Sequence, residues 1–344
     1  MLTHIRVQNV RHALSEGVHI VRTQGIREDS RNGPVLVMPG PLVTTYERPA
    51  ERVLLDPQRD ANPFFHLMEA LWMLAGRNDV DSLMRFNAGM AKYSDNGHTF
   101  HGAYGHRWRH HFEGIDQLTR IIELLRANPA DRRIVLQMWD PIVDLGREGL
   151  DFPCNNLCYF RVVDRQIGWA DIGDDTVMKT ARHLDMTIVC RSNDMWWGGY
   201  GANAVHFSVL QEFVASMVGV RVGEMHQLSN NAHLYLATLP PEGSLLPYAG
   251  YTEATLPLFG DLSAVPVAEV LQEFDTLWDD DIDGEVEHLP ATTIQLFASM
   301  GEAWKVWKAK GSLASFVNYA EHIPHPDWRR ACIEWGQRRS EKFK

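Results

Sequence analysis

The sequence has few cysteines for its length. Its 344 residues include four, Cys154, Cys158, Cys190 and Cys332, and their spacing matches neither a disulfide framework nor a zinc site. This scarcity argues against a disulfide-stabilised secreted domain, and we expect no metal ion. We expect instead a reducing, cytoplasmic compartment in which the thiols stay free.

Basic charge and long apolar stretches are also scarce. Lysine and arginine number 33 against 44 aspartates and glutamates, giving a formal net charge of −11. A general nucleic-acid-binding surface is normally basic, so we expect none, although a local basic pocket for a small anion remains possible. No apolar stretch approaches the length of a membrane span, and the N-terminus lacks the apolar core of a signal peptide. We therefore expect no membrane association.

What is present is an ordinary globular composition, with 45% hydrophobic and 22% charged residues. The length allows one large domain or two. Helical periodicity predicts helices over residues 64–75, 114–127 and 205–217, with Gly76 capping the first. Short β-like runs predict strands at residues 18–21, 35–38, 134–139, 157–163 and 186–190, with an insertion at 168–183.

Cys154 is the candidate nucleophile. It follows Pro153 and opens one β-rich run, while Arg191, Ser192 and Asp194 follow the end of another. A thiol and a cation at neighbouring strands suggest a nucleophile beside an anion site. The alternative is a buried structural cysteine next to a surface arginine.

Other charged residues are open to two interpretations. Glu69 borders the apolar stripe of the first predicted helix, either at the solvent boundary or as a buried acid with a raised pKa. Arg132 and Arg133 precede a predicted strand, and Arg31 lies in a polar turn at residues 27–33. Each arginine is either solvated or binds an anion.

Taken together and in this order, the motifs resemble those of the thymidylate synthase superfamily. The resemblance covers residues 18–238, about two-thirds of the chain. Each motif is modest alone, but seven in the same order are unlikely to arise by chance. They are Glu69/Trp72/Gly76, Tyr104-Gly105 with Trp108-Arg109, Arg132-Arg133, Pro153-Cys154, Arg191-Ser192 with Asp194, Asn203, and His233/Tyr235.

The resemblance implies an α/β (α+β) thymidylate synthase fold. That fold has a large, mixed, mainly antiparallel sheet with packed helices, and the other sheet face forms a homodimer interface. Residues 1–240 would form the catalytic domain. Residues 241–344 would be a mainly helical extension packed on the same domain.

The resemblance also implies a reaction and its residues. The Cys154 thiolate, its pKa lowered by guanidinium groups, would add to C6 of a pyrimidine nucleoside monophosphate. C5 would then attack the one-carbon unit of the co-substrate 5,10-methylenetetrahydrofolate. Glu69 and Tyr104 would serve proton transfers, beside Asn155, which replaces the histidine that normally follows the nucleophile. The implied binding residues are Arg31, Arg191 and Ser192 for phosphate, Arg132 and Arg133 for the partner subunit's phosphate site, His233 and Tyr235 for the sugar, Asn203 and the neighbouring His206 for the base, and Asp194 and Trp108 for folate.

Departures from the family pattern bear on the product. Residues 338–344 do not resemble the short apolar tail that seals a synthase site, and residues 91–97 replace a tryptophan-rich segment. In a sealed site, the exocyclic methylene intermediate takes a hydride from tetrahydrofolate and becomes a methyl group. If water is admitted, it adds instead and yields a hydroxymethyl group. We therefore predict a deoxypyrimidine monophosphate hydroxymethylase.

Two alternative functions stay open, as does the base. One is an ordinary thymidylate synthase, which would oxidise the folate to dihydrofolate. The other is a catalytically inactive nucleotide- or RNA-binding regulator, against which the retained catalytic residues argue. Asn203 leans towards uracil, because cytosine-specific members of the superfamily commonly carry aspartate there, but both dUMP and dCMP remain candidates.

Overall fold

Two β-sheets organise the chain, for which the computed structural model describes residues 2–172, 175–245, 250–278 and 286–343. The larger sheet has the strand order β1-β4-β9-β7-β6-β5, and the smaller has the order β2-β3-β10-β8. The strands of the described residues are β1 Thr3–Val7, β2 Ile26–Ser30, β3 Gly33–Val37, β4 Leu42–Tyr46, β5 Val135–Gln137, β6 Asn155–Ile172, β7 Asp175–Cys190, β8 Asn193–Asp194, β9 Arg221–Ser229 and β10 Ala232–Tyr235.

Both sheets are mixed and mainly antiparallel, as predicted, although we expected a single large sheet. The pairs β1–β4, β7–β9 and β8–β10 are parallel, and the other pairs are antiparallel. Helices pack on this framework. Those of the described residues are α1 Val10–Gln24, α2 Pro63–Leu74, α3 Val80–Met84, α4 Tyr104–His106, α5 Gln117–Ala127, α6 Pro141–Asp144, α7 Asn203–Val218, α8 Val267–Thr276, α9 Ala291–Lys308, α10 Leu313–Glu321 and α11 Pro326–Arg338.

The strand predicted at residues 18–21 is wrong, because this stretch lies inside α1. Asn9 caps the helix by accepting a hydrogen bond from the backbone N–H of His12. Val18 and Val21 then continue a buried stripe that includes Leu14. Helical burial against the rest of the protein outweighs the β preference of a short valine-rich run.

Helix α2 begins and ends close to the predicted positions. Asn62 accepts a hydrogen bond from the N–H of Phe65, and Pro63 occupies the first turn, where its missing N–H costs nothing. Gly76 follows the C-cap with a φ of +75°, the left-handed conformation that favours glycine. Helix α2 is buried on nearly every side, because α7, α8 and α11 all pack against it.

The predicted insertion at residues 168–183 extends the antiparallel β6–β7 hairpin. Pairing continues from Asn155 opposite Cys190 as far as Ile172 opposite Asp175, with a register shift between Gln166 and Gly168. Residues 173 and 174 lie outside the described part of the chain.

The C-terminal helices share a core with α2. The ring centroid of Phe64 lies 5.3 Å from that of Trp304 in α9 and 5.4 Å from that of Trp335 in α11. At the C-terminal end of α11, Arg338 and Arg339 form ion pairs with Asp60. The division of the chain at residue 240 into a catalytic domain and an extension stays a prediction.

Of the helices in the described ranges, none is both long and apolar enough to span a bilayer.

Candidate active site

The larger sheet places Cys154 beside Arg191. Asn155 pairs with Cys190 at the ends of β6 and β7, so the residues flanking these positions are adjacent. The backbone N–H of Arg191 donates to the Cys154 carbonyl at 2.9 Å, and its Nε donates to the Pro153 carbonyl at 3.0 Å. Nη2 of Arg191 lies 3.9 Å from Sγ of Cys154. The thiol and the cation are therefore together, as predicted.

The predicted lowering of the Cys154 pKa is wrong for the ligand-free protein. Burial has the largest effect and raises the pKa of this thiol. The Arg191 and Arg31 guanidinium groups lower the pKa of Cys154, as expected, but by less than burial raises it.

The smaller sheet gathers the residues implied for phosphate, sugar and folate. Strand register sets His233 opposite Asp194 on one side and opposite Val37 on the other. The β2–β3 hairpin turns at Arg31, whose Nη1 donates to the Gly149 carbonyl at 3.4 Å. Tyr235 lies two residues beyond His233, and their rings meet edge to face, 5.4 Å between centroids.

A second group of predicted residues lines a cavity of about 210 Å³. Glu69, Tyr104, Asn203 and His206 all contribute to its wall. Cys154 is not in the wall, but Phe152 is, so the cavity adjoins the nucleophile. The other wall residues are Trp72, Met73, Leu83, Met90, Tyr93, Phe100, Gly102, Ala103, Asp151, Phe152 and Ala202.

Burial decides the protonation of Glu69 and His206. It raises the pKa of Glu69 to about 8 and lowers the pKa of His206 to about 3. Nε2 of His206 lies 3.2 Å from Oε2 of Glu69. Although the two residues are close enough for an ion pair, desolvation disfavours both charges, and at neutral pH we assign a neutral acid beside a neutral imidazole. Of the two interpretations of Glu69, a residue at the solvent boundary or a buried acid with a raised pKa, the structure therefore supports the second.

Tyr104 and Asn155 lie between the cavity and the nucleophile. The Asn155 backbone N–H donates to the Tyr104 hydroxyl at 3.3 Å, and the Asn155 side chain is wholly buried. Burial raises the pKa of Tyr104 well above its usual value, so the phenol stays neutral. A hydrogen bond orients the Asn203 side chain: its amide nitrogen donates to Oδ1 of the buried Asn193 at 3.4 Å.

Several other predicted residues lie away from the cavity. Trp108 is 1% exposed, packs against Phe207 and is not among the residues of the cavity wall, so its contact with folate stays a prediction. Arg133 is exposed and pairs with Asp131, and Arg132 beside it is also exposed. Ser192 is half-buried, and its backbone carbonyl accepts a hydrogen bond from Sγ of Cys190.

Asp151 is a cavity residue that the sequence analysis missed. Its Oδ2 accepts a hydrogen bond from the N–H of Gly102 at 2.7 Å, and burial raises its pKa. The available signal was a carboxylate three residues before the candidate nucleophile. Asp151 belongs to no periodic pattern of residues, because it lies in a connection between elements.

Asp194 joins the smaller sheet to the irregular helical turn at Met195–Ala202. Its Oδ1 accepts a hydrogen bond from the N–H of Trp196 at 2.9 Å. Burial raises the pKa of this carboxyl group, and the nearby His233 and Arg59 partly oppose that effect. The site thus has a cationic side near Arg191 and a buried acidic side in the cavity.

Comparison with known proteins identifies the family. The thymidylate synthase family model matches residues 20–290. A deoxyuridylate hydroxymethyltransferase of Pseudomonas phage M6 is 41% identical over 355 residues, covering 98% of this chain and 95% of that protein. A deoxyuridylate hydroxymethyltransferase of Bacillus phage SP01 is 30% identical over 70% of this chain and 58% of its own length. Human thymidylate synthase is 27% identical over 65% of this chain and 72% of its own length. These findings confirm the predicted superfamily, its hydroxymethylase branch and the one-carbon transferase class: the chain belongs to the thymidylate synthase family.

Proposed function

We propose that this protein transfers a hydroxymethyl group to C5 of dUMP, with 5,10-methylenetetrahydrofolate as the one-carbon donor. The observation that carries this proposal is the 41% identity, over nearly the whole chain, to a deoxyuridylate hydroxymethyltransferase. The chemistry of the site is consistent with it, since the Cys154 thiol lies beside Arg191 and the cavity wall contains Glu69, an acid with a raised pKa.

Cys154 would act as the covalent nucleophile. It adds to C6 of the base and makes C5 nucleophilic enough to take the one-carbon unit. Its raised pKa keeps the thiol protonated in the free protein. Arg191, 3.9 Å from Sγ, stabilises the thiolate when a proton acceptor removes its proton. Arg31 and Arg191 would bind the 5′-phosphate with charge-assisted hydrogen bonds.

Asn203 would read the edge of the base. Its amide oxygen can accept a hydrogen bond from N3–H of uracil, while its amide nitrogen donates to O4. The hydrogen bond from Asn203 to Asn193 places the nitrogen on a defined side. Cytosine would need the opposite amide orientation, with the oxygen accepting from the amino group and the nitrogen donating to N3. His233 and Tyr235 would bind the sugar hydroxyl.

The cavity would receive the folate. Its wall is largely apolar and aromatic near Trp72, Phe100 and Tyr93, as an aromatic ring system requires. Asp194 would bind the ring's polar edge. Glu69, protonated at neutral pH because of its raised pKa, would supply a proton during one-carbon transfer.

We also propose a homodimer through the larger sheet. Inward-facing residues such as Phe160 and Ile188 are buried, but apolar residues on the other face, including Tyr159, Val189 and Leu228, remain partly exposed. A second copy would cover this face. Arg132 and Arg133 precede the edge strand β5 and would reach the partner's phosphate site.

Mixed dimers test that arrangement. An equimolar mixture of Cys154→Ser and Arg133→Ala chains, refolded together, should regain part of the activity that each lacks, because one of the two sites in a mixed dimer is intact. The matched control replaces Arg133→Ala with Arg120→Ala, whose exposed arginine lies on α5, away from the sheet. A monomeric protein in sedimentation would contradict the proposal.

Mass spectrometry of the product tests the reaction and the base. With dUMP and methylenetetrahydrofolate, we expect the mass gain of one hydroxymethyl group and no dihydrofolate, and with dCMP no product. A methyl gain with dihydrofolate would support the second candidate, a thymidylate synthase, which similarity to the human enzyme favours. Nucleotide binding without either product would indicate a regulator.

A further inference from the structure

His206, for which the resemblance implied only binding of the pyrimidine base, is a buried imidazole with no part in the proton transfers described above. It lies one turn after Asn203 on α7, so both side chains face the same cavity. Its side chain is 3% exposed, and Nε2 lies 3.2 Å from Oε2 of Glu69, which approaches from α2.

The hydrogen bonds of His206 define which nitrogen is available. The backbone of His66 raises the pKa of His206, by less than burial lowers it, and so favours protonation of the ring nitrogen that faces it. The other nitrogen, Nε2, is then an acceptor. Among the residues described, Nε2 has no hydrogen-bond partner, because its contact with Glu69 lacks the required geometry. A buried acceptor without a partner is costly, and a donor in the cavity would relieve that cost.

We propose that His206 is a catalytic residue that orients the water adding to the exocyclic methylene and, with Glu69, takes up its proton. This inference rests on the hydroxymethylase function proposed above. A small side chain at this position could not supply the acceptor. His206 would therefore favour water over hydride as the attacking group, and so determine the product.

In the proposed step, water adds to the exocyclic methylene and Cys154 then leaves C6. The water oxygen forms a bond to the methylene carbon, and the electron pair of the C=CH₂ bond moves to C5 and the C4 carbonyl oxygen. That pair then re-forms the C5–C6 double bond, while the C6–S bond breaks and its electrons leave on Cys154. The proton lost by water passes to Nε2 of His206 and on to the Glu69 carboxylate. That carboxylate is free because Glu69 has already given its proton to a departing folate nitrogen. The protons from C5 and from water thus account for the two N–H groups of tetrahydrofolate.

The pKa values of the pair support the direction of this transfer. Burial lowers the pKa of His206 to about 3, so imidazolium is unstable there. Glu69, with a pKa of about 8, is the stable resting place for the proton at neutral pH. His206 therefore passes the proton on and returns to its neutral form.

Single-turnover kinetics with C5-tritiated dUMP test the role of His206. Tritium release reports the steps through proton loss from C5, and hydroxymethyl product reports water addition. In His206→Asn and His206→Ser, we expect product formation to fall about 100-fold, while tritium release falls only a few-fold. Added 2-mercaptoethanol should then trap the methylene as a thioether, since a thiolate needs no base to attack. Ser208→Ala is the matched control, because Ser208 is also buried on α7 and its hydroxyl donates a hydrogen bond to the Val205 carbonyl of the same helix.

The outcomes separate this inference from the proposed function. Tritium release that outpaces product in both His206 variants, with thioether formation, supports it. Equal losses of tritium release and product, or unchanged kinetics in both variants, overturn it. A wild-type product carrying a methyl group would overturn the proposed function first, and the inference with it. Covalent capture of 5-fluoro-dUMP by each variant checks that the site is still folded.

Discussion

On one side of Cys154 the site is open and cationic, and on the other it is enclosed and acidic. The open side carries Arg191, half-buried, and Arg31, exposed on a hairpin turn. The enclosed side places Glu69 and His206 in contact inside a cavity. Groups near solvent keep their charge and suit binding of a phosphate. Desolvated groups lose their charge and suit proton transfer. The first side should therefore govern affinity, and the second should govern turnover.

Removing the nucleophile should produce the largest effect while leaving both sides intact. We expect Cys154→Ser to lower turnover by about 10⁴-fold or more, because a serine hydroxyl is far less acidic and cannot form the C6 adduct readily. Nucleotide binding, measured by calorimetry, should change little. Cys158→Ser, on the strand β6 that begins directly after Cys154 and buried in the core, serves as the control. Turnover near the wild-type level in Cys154→Ser would refute the covalent mechanism.

Glu69→Gln tests the acidic side. Loss of the proton donor should lower turnover by about 100-fold with a smaller change in KM for dUMP. The wild-type rate should also fall above pH 8, where Glu69 loses its proton, and the rate of the variant should not follow this titration. An unchanged KM for dUMP would strengthen the contrast between the two sides, and a KM effect larger than the turnover effect would break it.

Glu69→Gln should also become more stable than the wild type as the pH rises. The pKa of Glu69 is raised from 4.5 to about 8 by folding, so wild-type stability falls between those pH values and the loss is complete above the upper one. Glutamine does not titrate. At pH 7 we expect Glu69→Gln to be about 1–3 kcal/mol more stable in denaturant unfolding, with the difference vanishing below pH 4. An equal difference at both pH values would show that the pKa in the folded protein is not raised.

Arg31→Ala tests the open side, where we expect a smaller effect. Losing one charge-assisted hydrogen bond to phosphate should raise the KM for dUMP about tenfold and leave kcat nearly unchanged. Arg27→Ala removes an exposed arginine from β2, the strand that leads to the turn at Arg31, and is the control. If Arg27→Ala raises KM equally, the effect comes from the general positive field rather than from contact with the phosphate.

The smallest effect should come from the C-terminal ion pairs. Asp60→Asn weakens the pairing to Arg338 and Arg339 on the protein surface. Partly exposed ion pairs contribute little, so we expect a loss of less than about 1 kcal/mol in the free energy of unfolding. If the sealing role of a synthase tail is indeed missing here, the ratio of hydroxymethyl to methyl product should not change. A change in that ratio would connect the C-terminus to the site.

Much of the fold followed from local patterns in the sequence. Helix α2 was predictable because Asn62, Pro63 and Gly76 mark its ends chemically. Helix α1 was misassigned because valine-rich residues 18–21 fit both a strand and a helix, and only packing decided between them. Asp151 was missed because a single acid in a connection has no pattern until folding buries it beside the cavity.

The sequence by itself determined the order of the motifs, the candidate nucleophile and the family, because these depend on which residue types occur and in what order. Only the tertiary structure decided that Glu69 is neutral, that Trp108 is buried, and that His206 lies against Glu69. Helices α2 and α7 are far apart in the chain, and no local pattern specifies how they face each other. Protonation depends on burial, which every packed element contributes to, and so it emerges only when the chain has folded.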